Sequence, residues 1–386
     1  MRILTKPSTA QCNLDQYICY LLSEPHYSTC SKLAEIMGNI SHDSVNRFLN
    51  RENYTSDDLF NEVKLKLNLV GGTLSVDDSV LDKPYSNHYK SALVEYFWSG
   101  KHKSVVKGIN LVTLYYTDLD GVCLPVNYRA VDKKIGKTKN DYFREMVLEV
   151  IAWGLSPAWI TGDSWYASLD NLKFLRKQKL SFLFGMDSNR LISIEKGSYI
   201  QVQSLEDFPE SGRVVYLKEY GNVKVFRQEY KKVYRYYLMS IPDVKNIDGL
   251  TGTDFKRIHS QHWNIECFHR AVKQVCNIER FHVRTKHAVM NHIFCAIGAF
   301  VRLEVLRIQN VIGNWYQIQR DLFMDVIKQF IMKGGYQPSL KEPHKDTQIQ
   351  KNLNNEKQDS HEGYTFVHGV FSKLSIYEKS ETFVSA

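Results

Sequence analysis

Three carboxylates stand where side chains would leave a packed sheet. Asp78 closes the stretch TLSVDD, Asp163 closes SPAWITGD, and Glu266 lies in WNIECFHRAVK. The first two stretches are short and rich in apolar and β-branched residues, which predicts strands ending in acids. In α/β sheets, functional groups gather beyond strand ends, because there the side chain meets solvent. Carboxylates gathered in one place repel each other unless a cation bridges them. Hard oxygen ligands suit Mg²⁺ or Mn²⁺. Two such ions about 3.5–4 Å apart can clamp the attacking and leaving oxygens of a phosphodiester. A plainer reading stands beside this one. Asp78 precedes Ser79 and Asp163 precedes Ser164, so each can serve as a turn or helix cap. The set of three, in this order, tilts the balance towards metal chemistry.

The segment around Glu266 predicts a helix with two neighbouring stripes. Ile265, Phe268, Val272 and Val275 recur at helical spacing and would face a core. Glu266, His269, Arg270 and Lys273 recur beside them. That second stripe is either salt-bridge decoration, worth a few tenths of a kcal/mol at about 0.2–0.5 per pair, or a metal ligand flanked by groups that hold phosphates.

Other elements must position these groups. Residues 12–70 read as helical, with two short helices, STCSKLAEIMG and HDSVNRFLNRE, joined by a tight turn. This is a helix-turn-helix signature, and equally a plain three-helix bundle. On its second helix Ser44, Arg47, Asn50 and Arg51 lie away from Val45 and Phe48, and are of types that reach phosphates and base edges. From Gly71-Gly72 the period changes to strands. NLVTLYYTD and GVCLPVNYRAVD flank Asp120-Gly121, a hairpin signal. Helices NDYFREMVLEVIAWG and SLDNLKFLRKQ then alternate with strands SPAWITGD and LSFLFGMD, as in a mixed α/β domain. Residues 190–242 alternate β-branched and aromatic residues and predict an antiparallel β insertion. The basic runs KHKSVVK (101–107) and KKIGKTK (133–139) would meet a phosphate backbone, through Lys133, Lys134 and Lys137 in the second.

The expected organisation is therefore a helical DNA-binding segment at 1–70, a catalytic core at 71–189, a β insertion at 190–250, a helical second part of the core at 251–335, and a polar, flexible tail at 336–386. The chain has 386 residues and a formal net charge of +8, which permits a polyanionic partner without demanding one. Seven cysteines with no CxxC pair suit free thiols in a reducing compartment. The N-terminus lacks a long apolar run and no stretch of eighteen apolar residues occurs, so a cytoplasmic protein with no membrane span is expected.

Taken together, VDDSV, ITGDSWYASLDNL and WNIECFHRAVKQVCNIERF resemble the DDE transposases of bacterial cut-and-paste insertion sequences, over residues 70–300. That family's third motif is Tyr, two residues, Arg, three residues, Glu, six residues, Lys. Trp263, Ile265, Glu266, Phe268 and Lys273 match in type and spacing, whereas His259 and His262 stand at the Tyr and Arg positions. The resemblance implies an RNase H-like α/β core with a β-rich insertion, and a metal-binding catalytic triad of Asp78, Asp163 and Glu266 holding two Mg²⁺ or Mn²⁺ ions. Asp78 is preferred to Asp77 because the family's Asp directly precedes Thr or Ser. Lys273, His259, His262 and Arg270 would contact DNA near the reacting phosphate, and the N-terminal helices, through Arg47, Asn50 and Arg51, would read the terminal inverted repeats. The implied partners are double-stranded transposon-end and target DNA, bound by a homodimer in a bacterial cytoplasm at the nucleoid.

Three alternatives share parts of these features. A nuclease of the same fold would need the same triad without joining DNA. A domesticated DNA-binding protein would have lost catalysis. A zinc hydrolase would use His259, His262 and Cys267, but no HExxH arrangement supports it.

Overall fold

The computed structural model describes residues 10–332 except Pro25, Tyr27, Lys196 and the side chain of Phe330; the expected tail lies outside the described residues. Four short helices open the chain: α1 (Leu14–Ser23), α2 (Cys30–Met37), α3 (His42–Arg51) and α4 (Ser56–Val63). Each starts at a side-chain cap, Asn13, Thr29, Ser41 and Thr55 in turn, which satisfies amides the helix cannot.

The central sheet begins with β1 (Thr73–Asp82), β2 (Glu95–Ser99), β3 (Ser104–Thr117) and β4 (Cys123–Ala130). β3 and β4 are joined through Gly121 at φ 82°, where the Asp-Gly pair predicted a hairpin. Next come α5 (Lys139–Ala152), β5 (Trp159–Gly162), α6 (Leu169–Lys177) and β6 (Ser181–Met186). β1 runs antiparallel to β3 and parallel to β5, and β5 runs parallel to β6. β2 and β4 share the outer edge of β3.

The segment expected as an insertion forms β7 (Leu191–Ser193), β8 (Tyr199–Gln201), β9 (Arg213–Leu217), β10 (Gly221–Tyr230) and β11 (Val233–Ser240). It extends the main sheet, because β11 pairs antiparallel with β6 and continues the order through β10, β9, β7 and β8. The YIQVQSL stretch is strand only to Gln201, and a 3-10 turn follows.

Two long helices complete this unit, α7 (Gly252–Gln274) and α8 (Lys286–Ile308). The capping box of Thr251 and Asp254 starts α7. Leu183, Phe226, Met239, Phe255 and Ile258 bury together, with the Phe226 and Phe255 rings stacked at 4.8 Å, so the insertion anchors the first turns of α7. α8 packs on α1, α3, α4, α7 and β4. It is long and apolar enough to cross a membrane, which the sequence reading did not register, but 83% of its most apolar window is buried inside the protein. The N-terminal helices thus belong to one compact unit with the sheet, which ends at Val311. A second unit starts at Ile312 and contains α9 (Gln317–Met332).

Candidate active site

The site is built where β1 and β5 part. Val76 is the last β1 residue paired with β5, opposite Gly162, so Asp77 and Asp163 follow side by side as the ladder ends. Gly162 allows this close approach, since a Cβ there would meet a Val76 methyl at 2.7 Å and the Phe184 ring at 3.1 Å. Asp163 then accepts the Trp165 amide at 3.0 Å and starts a 3-10 turn, so the cap reading of this residue is also fulfilled. Asp78 departs from the expectation: β1 runs on to Asp82, and Asp78 lies inside the strand, paired with Val112 of β3.

Adjacent strand residues point to opposite faces, and the contacts of the two β1 aspartates follow that rule. On the α5 face, Asp78 Oδ1 accepts Lys139 Nζ at 2.7 Å and the Tyr166 hydroxyl at 3.2 Å, while Oδ2 accepts Asn110 Nδ2 at 2.6 Å. On the α7 face, Asp77 Oδ2 lies 3.3 Å from Nδ1 of the buried His269, whose other ring nitrogen lies 3.4 Å from Thr113 Oγ1. Burial would raise the Asp77 carboxyl, but its hydrogen bond and charge interaction with His269, the charge of His262 and the Asp78 amide together hold it below the usual carboxylate range.

Asp163 moves the other way. Crowding by protein atoms, then the charges of Asp77 and Asp78, push its carboxyl up to about 7, against the pull of the Trp165 amide and Lys139. Glu266 also rises, through desolvation and then the charge of Asp77, opposed by Arg270, His269 and Arg235. Four acids therefore share one electrostatic neighbourhood, from β1, the end of β5 and α7.

α7 lies along β1. The Gln261 side chain meets Thr73, Asn264 Nδ2 reaches Thr117 Oγ1 at 3.2 Å, His269 meets Asp77, and Lys273 Nζ donates to the Val80 carbonyl at 2.6 Å. Ile265, Phe268 and Val272 are buried as the periodicity predicted. The cationic stripe is mostly turned inward. Lys273 also lies 3.7 Å from Glu279, and burial lowers its pKa. His259 packs edge-on to Tyr237 at 4.6 Å and against Phe255 at 5.4 Å. His262 has a buried Nδ1 without a hydrogen-bond partner. Burial lowers both histidines, so near neutrality they are uncharged. Arg270 is exposed, 5.8 Å above the Trp263 ring.

The remaining residues expected to meet DNA divide in the same way. On α3, Ser44 is fully buried and its hydroxyl accepts the amides of Gln11 and Cys12, which corrects its assignment to an open polar face. Asn50 bonds Asn46 and accepts from Thr285, the cap of α8. Arg47 is partly buried with its Nε unpartnered, and Arg51 is exposed. Lys133 donates to the Tyr96 carbonyl at 2.7 Å and lies over the Phe97 ring; Lys137 pairs with Glu145 at 2.7 Å; Lys134 is exposed. In the earlier basic run, Lys101 and His102 both pair with Asp82.

Sequence reasoning missed Asp77, Lys139, Tyr166 and Asn110. Strand alternation in Val76-Asp77-Asp78 signals that one of two acids must face α7, and Tyr166 follows Asp163 in the run GDSWY. Nothing local marks Lys139 or Asn110, which arrive from distant elements.

Among the described residues no three of His, Cys, Asp and Glu stand close enough to hold a metal ion. The donors nevertheless suit a hard cation. They are carboxylate oxygens that raise one another's pKa, with the buried, unpartnered Asn110 Oδ1 beside Asp78. The Lys139 ammonium supplies positive charge to Asp78 in this structure.

A family model described as a transposase DDE domain matches residues 72–301. Among solved structures, a piggyBac transposase synaptic complex with hairpin DNA is similar at 13% identity, covering 87% of this chain and 76% of that one, with a TM-score of 0.45. A Drosophila P element transposase strand transfer complex is similar at 10% identity, covering 52% and 48%, with a TM-score of 0.26. No curated protein sequence gives a match.

Proposed function

The chain belongs to the family of transposase DDE domains, and from that premise we propose that it cuts transposon-end DNA and joins the freed 3′-OH to target DNA at Asp78, Asp163 and Glu266. The observation that carries this reading is the electrostatic coupling at the end of β5, where Asp163 is pushed up to about 7 beside Asp77 and Asp78. Such a cluster is costly in a folded protein unless it serves chemistry. The strand order β4-β3-β1-β5-β6, antiparallel up to β1 and parallel after it, supports an RNase H-like core.

Asp78, Asp163 and Glu266 would hold two Mg²⁺ or Mn²⁺ ions, which supply Lewis-acid activation of the nucleophile and stabilise the leaving oxygen. The chain's own residues prepare that chemistry. Lys139 and Tyr166 hold Asp78 Oδ1. The Asp77–His269 pair fixes α7 against β1 and so sets the depth at which Glu266 stands. Each displacement breaks one P–O bond as another forms: water releases a 3′-OH from the transposon end, and that 3′-OH then attacks a target phosphodiester. No side chain need become covalently attached. Arg270, Arg51 and Lys134, exposed in the free protein, are the members of the expected set best placed to reach phosphates, and α3 would read the end repeats within a dimer assembled on DNA.

The test uses duplexes taken from the DNA flanking the protein's own gene, with Mg²⁺ or Mn²⁺. The wild type is expected to nick at the element end and to join a pre-cut end to a plasmid, and Asp163→Asn to do neither. Nicking without joining would leave a nuclease; equal activity of the variant would remove the site assignment.

A further inference from the structure

The β10–β11 hairpin runs outward from the body of the protein. Its base is packed, with Phe226 buried against Phe255 and Tyr237 beside His259 of α7. Beyond that base every residue from 228 to 235 is exposed, so a two-stranded ribbon stands in solvent on both faces.

Its tip breaks a local rule. Tyr230 pairs with Val233, which leaves Lys231-Lys232 as a two-residue loop with φ 50° and 64°. Two left-handed residues in succession are what a type I′ turn requires, and Asn-Gly adopts that shape with least strain. Neither lysine gains packing in exchange, since both are exposed. Residues 227–235 carry Arg227, Lys231, Lys232 and Arg235 against the single acid Glu229. The Arg235 guanidinium lies 4.4 Å from the Tyr230 ring centre, and that of Arg227 lies 4.5 Å from Tyr234. Arg235 pairs with Gln228 and Arg227 with Tyr236, so the two arginines occupy opposite faces.

We propose that this ribbon is a DNA-docking element that enters the major groove of duplex DNA, with Lys231 and Lys232 on its phosphates. The major groove admits a two-stranded β-ribbon, and the excess of cations suits a polyanion. A second copy of the chain would set like charges against each other. The inference rests on the reading of the chain as a DNA transposase, and adds to it where the substrate duplex is gripped, next to α7.

The test is the double variant Lys231→Asn, Lys232→Gly. It removes two charges yet suits the turn, so the variant should fold and melt no lower than the wild type. Binding to a mixed-sequence DNA duplex is titrated without divalent metal over a series of salt concentrations. The variant is expected to bind roughly tenfold or more weakly at physiological salt, with a log–log salt slope shallower by about two. Unchanged affinity and slope, with a wild type that does bind, would overturn the docking role alone. Loss of self-association in the variant with DNA affinity unchanged would also overturn it, in favour of a contact between copies. A wild type that binds no duplex at any salt would overturn the transposase reading itself, and this inference with it.

Discussion

Asp77 and Asp78 are neighbours in sequence, but the pleat of β1 gives them different surroundings. On the α5 face, Asp78 is met by an ammonium, a phenol and an amide on mobile or short side chains. On the α7 face, Asp77 is met by His269, which is itself buried and backed by Thr113. One carboxylate is held by groups a cation can displace; the other is locked to the helix that carries Glu266. The difference separates a ligand from a positioning group in two residues that sequence alone treats as equivalent.

The largest expected effect lies where both faces meet. Asp163→Asn or Glu266→Gln should lower strand cleavage by about three orders of magnitude or more, the scale of losing one essential catalytic group. Gel assays of end nicking would show it, and near-wild-type nicking by either variant would dissolve the shared site. The next variants divide the faces. Asp78→Asn should abolish cleavage in the same way. Asp77→Asn should lower it roughly 10- to 100-fold, as expected of an outer-shell partner, and Asp77→Ala should cost about 1–3 kcal/mol of stability by leaving His269 unpaired in the interior. The opposite ranking of Asp77→Asn and Asp78→Asn would exchange the two roles.

This pairing shows how far the sequence could be read. The strand and helix order from Thr73 to Met186, the Asp-Gly hairpin and the apolar stripe of α7 are local signals, and the fold follows them. The failures are at long range. The strand β11 meets β6 across some fifty residues, with Tyr236 opposite Met186, so the insertion could not be seen to join the main sheet. The polar side of α3 was legible, but not that the segment before α1 covers Ser44 and that the cap of α8 takes Asn50. Charge on Lys273 was legible, but not that its ammonium turns back to the Val80 carbonyl. Periodicity assigns a face; only packing says what covers it.

A smaller effect links the acids to pH. In the folded protein Asp163 keeps its proton up to about 7, whereas in the unfolded chain it releases it near about 3.9. The folded state then binds more protons in that window, so stability without metal falls as pH rises from about 4 to about 7. The slope should be shallower in Asp163→Asn than in the wild type when the thermal midpoint is followed across that range in chelator. Mg²⁺ at neutral pH should restore the lost stability, by about 2.7 kcal/mol at a hundredfold excess over its dissociation constant. A midpoint indifferent to Mg²⁺ would argue that the two faces do not share a cation.

The smallest effects concern the basic run at 133–139, which lies between the third strand and α5. Lys134 is exposed, while Lys133 is tied to the Tyr96 carbonyl and the Phe97 ring and Lys137 to Glu145. A lysine with an internal partner must break that contact to reach a phosphate, and a lysine in water need not. Lys134→Ala should therefore weaken DNA binding several-fold and reduce the salt slope by about one, with no change in melting. Lys133→Ala should lower the melting temperature slightly, through the lost contact with β2, and leave the slope nearly unchanged. Equal slopes for the two variants would mean that DNA pulls Lys133 off Tyr96, and the α5 face would then have to be drawn as a surface that rearranges on binding.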